Sequence, residues 1–161
     1  AYLYEESIIS GYPDGEFKGY NSVNRAEAAK FLMLSAGIVT DDAYDDGRFS
    51  DLESGAWYVE YVMAAAFNEI INGHPDGTFK PADTVNIAEF LKMLTKTFNL
   101  EEDLDYAYED VPSDAWYAPY AGIAEEYNLF PDGDDDMLYP ATNMSREQVA
   151  IAIYQYLMYS R

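Results

Sequence analysis

Apolar and polar positions along this chain alternate between two helix-like patterns joined by a recurrent polar turn. Tyr58, Tyr61, Val62, Ala65 and Ala66 recur at three-to-four spacing, the signature of a helix packed on one side, with Gly73 placed as its stop. A second stripe follows each turn: Ala26, Ala29 and Met33 in one place, Ala88, Leu91 and Leu94 in another. Polar residues stand where such helices begin, which predicts second helices over 24–35, 86–98 and 145–159. First helices are expected to begin near Trp57 and Trp116.

The patterns repeat because the sequence repeats. Shifted by 62 positions, the stretch from Ile8 to Leu32 is identical to that from Ile70 to Leu94 at more than half of its positions, without a gap. The shared core is Gly11-Tyr12-Pro13-Asp14-Gly15-Glu16-Phe17-Lys18 against Gly73-His74-Pro75-Asp76-Gly77-Thr78-Phe79-Lys80. A shift of 59 carries Asp51, Ala56-Trp57-Tyr58 and Tyr61 onto Asp110, Ala115-Trp116-Tyr117 and Tyr120. In the third copy Pro131-Asp132-Gly133 falls three residues early, and Asp134-Asp135-Asp136 fills the difference. The Pro-Asp-Gly triplet is a turn, since Pro presets φ, Asp bonds nearby backbone and Gly accepts a positive φ.

Each copy is therefore a helix, a turn, a short extended segment and a second helix. Two helices cannot bury their apolar faces alone, so three copies are expected to share one central bundle. The copies divide the chain at 1–40, 41–100 and 101–161, with acidic exposed loops at 40–48 and 101–109. The first copy is incomplete: no Trp-Tyr element precedes Ser10, and residues 1–9 read as the tail of a first helix.

Composition narrows the function. With 30 acidic and 9 basic residues the net charge is −21, which excludes a phosphate-tracking nucleic-acid binder and disfavours anionic membrane surfaces. No stretch approaches the ~20 apolar residues of a membrane span. The absence of cysteine removes disulfides, thiolate metal sites and a cysteine nucleophile. Such acidity also fits a halophile or a calcium-rich exterior. No phosphate loop, nucleophile elbow or zinc-protease motif is present, His74 is the single histidine, and no catalytic residues are assigned. Asp132, Asp134 and Asp136 alternate as the first ligands of a calcium loop do. Met137 and Asn143, however, stand where that loop needs Gly and Glu, so they are metal candidates of last resort and no cofactor is required.

Taken together, Phe49-Ser50-Asp51, Trp57, the Gly73-to-Pro81 turn and Val23-Asn24-Arg25-Ala26-Glu27 resemble the S-layer homology domain family along nearly the whole length. The resemblance implies a mainly α fold: three helix-turn-helix repeats in a pseudo-threefold bundle, with short extended segments at the Pro-Asp-Gly turns. It also implies an extracellular module at a bacterial surface or cell wall, binding secondary cell-wall polysaccharide, often pyruvylated, in grooves between repeats. The family's motif arginine carries over to Arg25 and Arg146, and a guanidinium forks well onto a carboxylate. Ile87 replaces it in the second copy, and Met144-Ser145-Arg146-Glu147-Gln148 shuffles the acid in the third. Glu27 joins the candidates beside its reading as a helix cap, as do Trp57 and Trp116, whose rings could stack on sugars or pack in the core. The other class of function is structural: a module assembling with other S-layer subunits, with or without calcium bridges, and no polysaccharide binding.

Overall fold

In a computed structural model of the chain, residues 2–160 are described. Six helices follow in order: α1 (Tyr2–Glu5), α2 (Arg25–Ser35), α3 (Val59–Phe67), α4 (Ile87–Thr97), α5 (Ala118–Glu126) and α6 (Arg146–Tyr159). The fold is mainly helical, and the extended segments contribute only isolated bridges among the described residues.

The second helix of every copy, α2, α4 and α6, opens on the same device. Asn24, Asn86 and Ser145 accept from the third backbone N–H of their helices, and Glu27, Glu89 and Gln148 reach back to the cap residue's own N–H. These reciprocal capping boxes explain a polar residue followed three positions later by Glu or Gln. The first helices start later than the tryptophans suggest, at Val59 and Ala118, leaving Trp57 and Trp116 on the entering turn.

Gly73 is not the stop of α3. That helix ends at Phe67, and Glu69 turns the chain with φ 58°, as Ser7 (59°) and Asn128 (46°) do after α1 and α5. A left-handed residue just past a helix satisfies its last carbonyls. Here Ile70 N–H donates to Ala65 O and Leu129 N–H to Ala124 O, both at 2.9 Å. Gly73 is itself left-handed but four residues further on; a Cβ there would lie 2.4 Å from the Phe49 ring, so glycine serves packing rather than helix termination.

Neighbouring copies are tied together by backbone. The extended residues before the second helices, Val23, Val85 and Met144, are wholly buried. Val23 N–H donates to Met144 O at 2.9 Å, Met144 N–H to Val85 O at 2.9 Å and Val85 N–H to Val23 O at 3.1 Å, closing a ring. Just outside the ring, Arg25 N–H donates to Asp83 O, Ile87 N–H to Thr142 O and Arg146 N–H to Asn21 O. Each second helix thus hands its free N-terminal donors to the next copy's loop, and a buried amide left without such a partner would cost about 1–3 kcal/mol. Helix contacts follow the same order: α3 packs on α2, α5 on α4 and α1 on α6.

A second device holds the turn of the later copies. Asp51 accepts from Phe79 N–H (2.8 Å) and Lys80 N–H (2.7 Å), and Asp110 from Leu138 N–H (2.8 Å) and Tyr139 N–H (2.7 Å). Lys80 and Tyr139 have φ of 59° and 54°, a strained conformation for side-chain-bearing residues that the carboxylate fixes in place. Lys18 shares the conformation at 52°, but among the described residues no carboxylate accepts from its N–H or that of Phe17, and the Lys18 side chain pairs with Asp14.

The third copy keeps the register without keeping the turn sequence. Asp136 O accepts from Glu109 N–H at 2.8 Å, as Gly77 O accepts from Ser50 N–H at 2.9 Å. The acidic run therefore occupies the place of Pro75-Asp76-Gly77. Pro131-Asp132-Gly133 makes an additional turn before it, closed by Gly133 N–H to Phe130 O.

Candidate functional site

The cyclic packing creates three grooves, each built from the first residue of one second helix and the turn and second helix of the next copy; the copy after that adds a tryptophan to the first two grooves, and the first copy has none to give the third. Their contents differ sharply.

In the first groove stands Arg146, only 4% exposed. Its Nε donates to Phe17 O (3.0 Å), one terminal nitrogen to Glu27 Oε1 (2.8 Å) and the other to Ser10 O (2.9 Å). The guanidinium also lies over the rings of Tyr12, Phe17 and Phe31 at 4.7–5.2 Å. All three nitrogens are engaged, and Glu27 is divided between this pair and its capping box. Trp57 stands at the edge, 52% exposed, with Lys30 Nζ 5.3 Å from its ring centroid.

In the second groove Arg25 begins identically, its Nε donating to Phe79 O at 2.8 Å and its guanidinium over the Phe79 ring at 4.8 Å. That is the single hydrogen bond of its side chain among the described residues, and no carboxylate lies within salt-bridge distance of it. Burial holds its pKa below the ordinary arginine value, with Glu89, Asp83 and Asp51 pulling the other way. A guanidinium does not lose its proton in a protein, so the result is a partly desolvated cation with unfilled donors. It lines a cavity of about 250 Å³ with Asn72, Gly73, His74, Glu89, Lys92 and Trp116, among others. Trp116 is 55% exposed, its ring centroid 5.6 Å from Lys92 Nζ. His74 Nε2 is buried without a hydrogen-bond partner.

In the third groove Ile87 holds the arginine position, Gln148 the glutamate position and Ile151 the lysine position, and all three line a cavity of about 440 Å³.

Of the residues singled out in the sequence, the fold brings Arg146, Glu27 and Trp57 to one groove and Arg25 and Trp116 to another. Both tryptophans are surface residues packed edge-on against Tyr58 and Tyr117, not core. Asp132, Asp134 and Asp136 do not converge: Asp134 accepts from Asp136 N–H and from the Tyr139 hydroxyl, and no group of three or more metal-ligating side chains gathers among the described residues. Sequence reasoning missed Lys30, Lys92 and His74. The lysines were legible, since both stand five residues after the arginine position of their helices; His74 was noticed only as a turn residue.

This architecture, a helical repeat whose copies close on one another and leave grooves at their seams, has a counterpart among known sequences. The sequence profile of the S-layer homology domain matches residues 1–29, 48–91 and 107–150, and the chain belongs to that family. It is 30% identical over 149 residues to a cellulosome-anchoring protein of Acetivibrio thermocellus, covering 85% of this chain and 32% of that protein. It is 29% identical over 96 residues to a surface layer protein of Brevibacillus choshinensis, covering 58% of this chain and 9% of that protein. It is also 31% identical over 131 residues to an endoglucanase of a Bacillus species, covering 79% of this chain and 14% of that enzyme. The chain thus spans a third or less of the length of these relatives. No helix among the described residues is long and apolar enough to cross a membrane.

Proposed function

We propose that this chain is a non-catalytic module that anchors a larger protein at a bacterial cell surface by binding an anionic secondary cell-wall polysaccharide in the second groove. In this reading the copies at 1–40, 41–100 and 101–161 are related by an approximate threefold axis through the Val23, Val85 and Met144 ring. The observation that carries the proposal is the contrast at one motif position: both terminal nitrogens of Arg25 are without a hydrogen bond among the described residues and face an open groove, whereas every nitrogen of Arg146 is engaged in a buried seam. A pyruvate ketal presents a carboxylate on a pyranose ring. Arg25 and Lys92 meet the carboxylate, Trp116 offers a plane to the ring, and the orphan His74 nitrogen takes a hydroxyl. Arg146 and Glu27 hold the seam between the third and first copies, with Lys30 and Trp57 forming a shallower contact at its rim.

The net charge of −21 does not prevent this, because the few bases are placed where they act. Arg25, Lys30, Lys92 and Arg146, four of the 9 basic residues, all stand at groove positions. Repulsion from acids elsewhere on the surface is screened beyond about 8 Å at physiological ionic strength. Co-sedimentation with envelope sacculi, before and after chemical removal of the secondary polysaccharide, tests the proposal. Binding is expected to vanish with the polymer and in Arg25→Ala. Binding unchanged by either treatment sinks it and leaves an assembly module as the better reading.

A further inference from the structure

The first and second grooves differ at one further position. Tyr12 and His74 stand at the same place in the repeated Pro-Asp-Gly turn. In the first groove the Tyr12 ring centroid lies 4.7 Å from the guanidinium carbon of Arg146, whose charge Glu27 meets at 2.8 Å. In the second groove that position holds the chain's single histidine, in a cavity with Arg25, which no carboxylate among the described residues neutralises at salt-bridge distance. A phenol stays neutral through the physiological range, whereas histidine is the side-chain type whose charge changes between about pH 5 and 8.

The turn fixes this residue in place: His74 N–H donates to Thr78 O at 2.8 Å, and Gly77 N–H donates to His74 O at 3.0 Å. Its Nε2 is nevertheless buried without a partner, and such an atom calls for an explanation. The charges around the ring come from three places. Arg25 opens α2, Glu89 and Lys92 stand near the start of α4, and Asp76 belongs to the turn itself, with Lys80 also acting on it. Asp83 and Asp51 act on Arg25 from beyond salt-bridge distance. Glu89 is engaged by the backbone N–H of the Asn86 cap at 3.0 Å, and Asp76 by the Thr78 N–H and hydroxyl at 3.0 and 2.6 Å. Arg25 and Lys92, neither ion-paired among the described residues, thus oppose a proton on His74, while the nearest carboxylates are already occupied. An anion seated between the two cations reverses that balance.

We propose that His74 makes the second groove pH-sensitive: it takes up a proton from solvent when an anionic ligand binds, so that affinity rises as the medium becomes more acidic. The response rests on this groove being an anion site, the reading given above. A bound carboxylate raises the proton affinity of the imidazole, and by linkage the proton raises the affinity for the carboxylate by the same factor. The gain is complete below the midpoint of the empty groove and is gone above the midpoint of the occupied one. A ligand hydroxyl accepts from the protonated nitrogen as it donates to the neutral one, so the contact survives in both states.

Because the chain has one histidine, its Hε1 resonance follows His74 alone. In the free chain Arg25→Ala is expected to move the titration midpoint up, since a neighbouring cation is gone; this arm needs no ligand. Calorimetric titration with a methyl pyranoside carrying a pyruvate ketal, in raised salt that screens the acidic surface, is expected to show roughly tenfold tighter binding at about pH 5.5 than at about pH 8. The ketal should also raise the His74 midpoint. The pH response is expected to disappear in His74→Gln and in His74→Tyr, which restores the first copy's residue. Binding that is independent of pH, a response that persists in His74→Gln, or a midpoint unmoved by Arg25→Ala overturns the proposal and leaves anion binding by the groove standing. Absence of ketal binding at every pH overturns both.

Discussion

Arg25 and Arg146 occupy the same place in their copies, each first in its helix and each with Nε on the carbonyl of the phenylalanine that follows the turn of the next copy. Beyond that atom they part. Arg146 meets Glu27 and Ser10 O and is sealed under three aromatic rings; Arg25 meets one ring and an open groove. The difference lies in the partner copies. Glu89 matches Glu27 in sequence, yet it makes no ion pair with Arg25 and acts only as a cap. One motif position thus supports two tasks, closing a seam and offering a cation, and the surroundings choose between them.

The largest effect that would sharpen this contrast is on stability. Arg146→Ala leaves Glu27 and two carbonyls without their partner, and removing one member of a buried pair costs roughly 3–5 kcal/mol. Arg25→Ala, with one carbonyl bond to lose, is expected to cost about 1 kcal/mol. Urea denaturation of the two variants compares them directly, and equal losses would break the distinction. Polysaccharide binding should show the reverse order: it disappears in Arg25→Ala, and it survives in Arg146→Lys at temperatures where that variant remains folded.

A smaller effect separates the copies at their turns. Asp110→Asn keeps the shape but weakens two charge-assisted bonds to Leu138 and Tyr139, at a cost of about 2 kcal/mol, read from the denaturation midpoint. Hydrogen exchange at Phe17 and Lys18, where no carboxylate clamps the turn, should already be faster in the parent chain than at Phe79 and Lys80. Smaller again is the loss of a cap: Asn86→Ala should cost about 1 kcal/mol without altering groove contents.

At neutral pH the last effect is silent, and it emerges only in alkali. Burial, with Glu125, Asp135 and Asp110 adding to it, pushes the Tyr108 hydroxyl up to about 12 from its model-compound value of 10.0. The folded state therefore keeps the proton longer than the unfolded state does. The stability this contributes is intact below pH 10.0 and is lost as pH rises toward about 12. Tyr61, Tyr120, Tyr127, Tyr139 and Tyr156 are also raised, so a spectrophotometric titration should show several phenols ionising late, with the latest component diminished in Tyr108→Phe.

Much of the molecule follows from local chemistry that a sequence displays. The capping boxes at Asn24, Asn86 and Ser145 and the stripe through Ala88, Leu91 and Leu94 depend on spacing within a single helix, so helix positions were legible to within a residue or two. Trp57 and Trp116 misled slightly, since a bulky residue near a helix start looks like the first core position when it belongs to the turn before it. Gly73 misled for a similar reason: a glycine after an apolar run reads as a stop, whereas Glu69 turns the chain and Gly73 makes room for Phe49.

By itself, then, the sequence determined the repeat, the helix pairs, the family and the arginine positions, because each of these is written in residues close together along the chain. Only the tertiary structure decided that the acidic run of the third copy takes over the place of Pro75-Asp76-Gly77, that Arg146 is consumed while Arg25 is open, and that Ile87, Gln148 and Ile151 share one cavity. These outcomes depend on residues far apart along the chain, from Glu109 and Asp136 in the third copy's turn to Arg25 and Phe79 and, more than 100 positions apart, Arg146 and Glu27. A helix records its own face in its periodicity; it carries no record of which copy will lie against it.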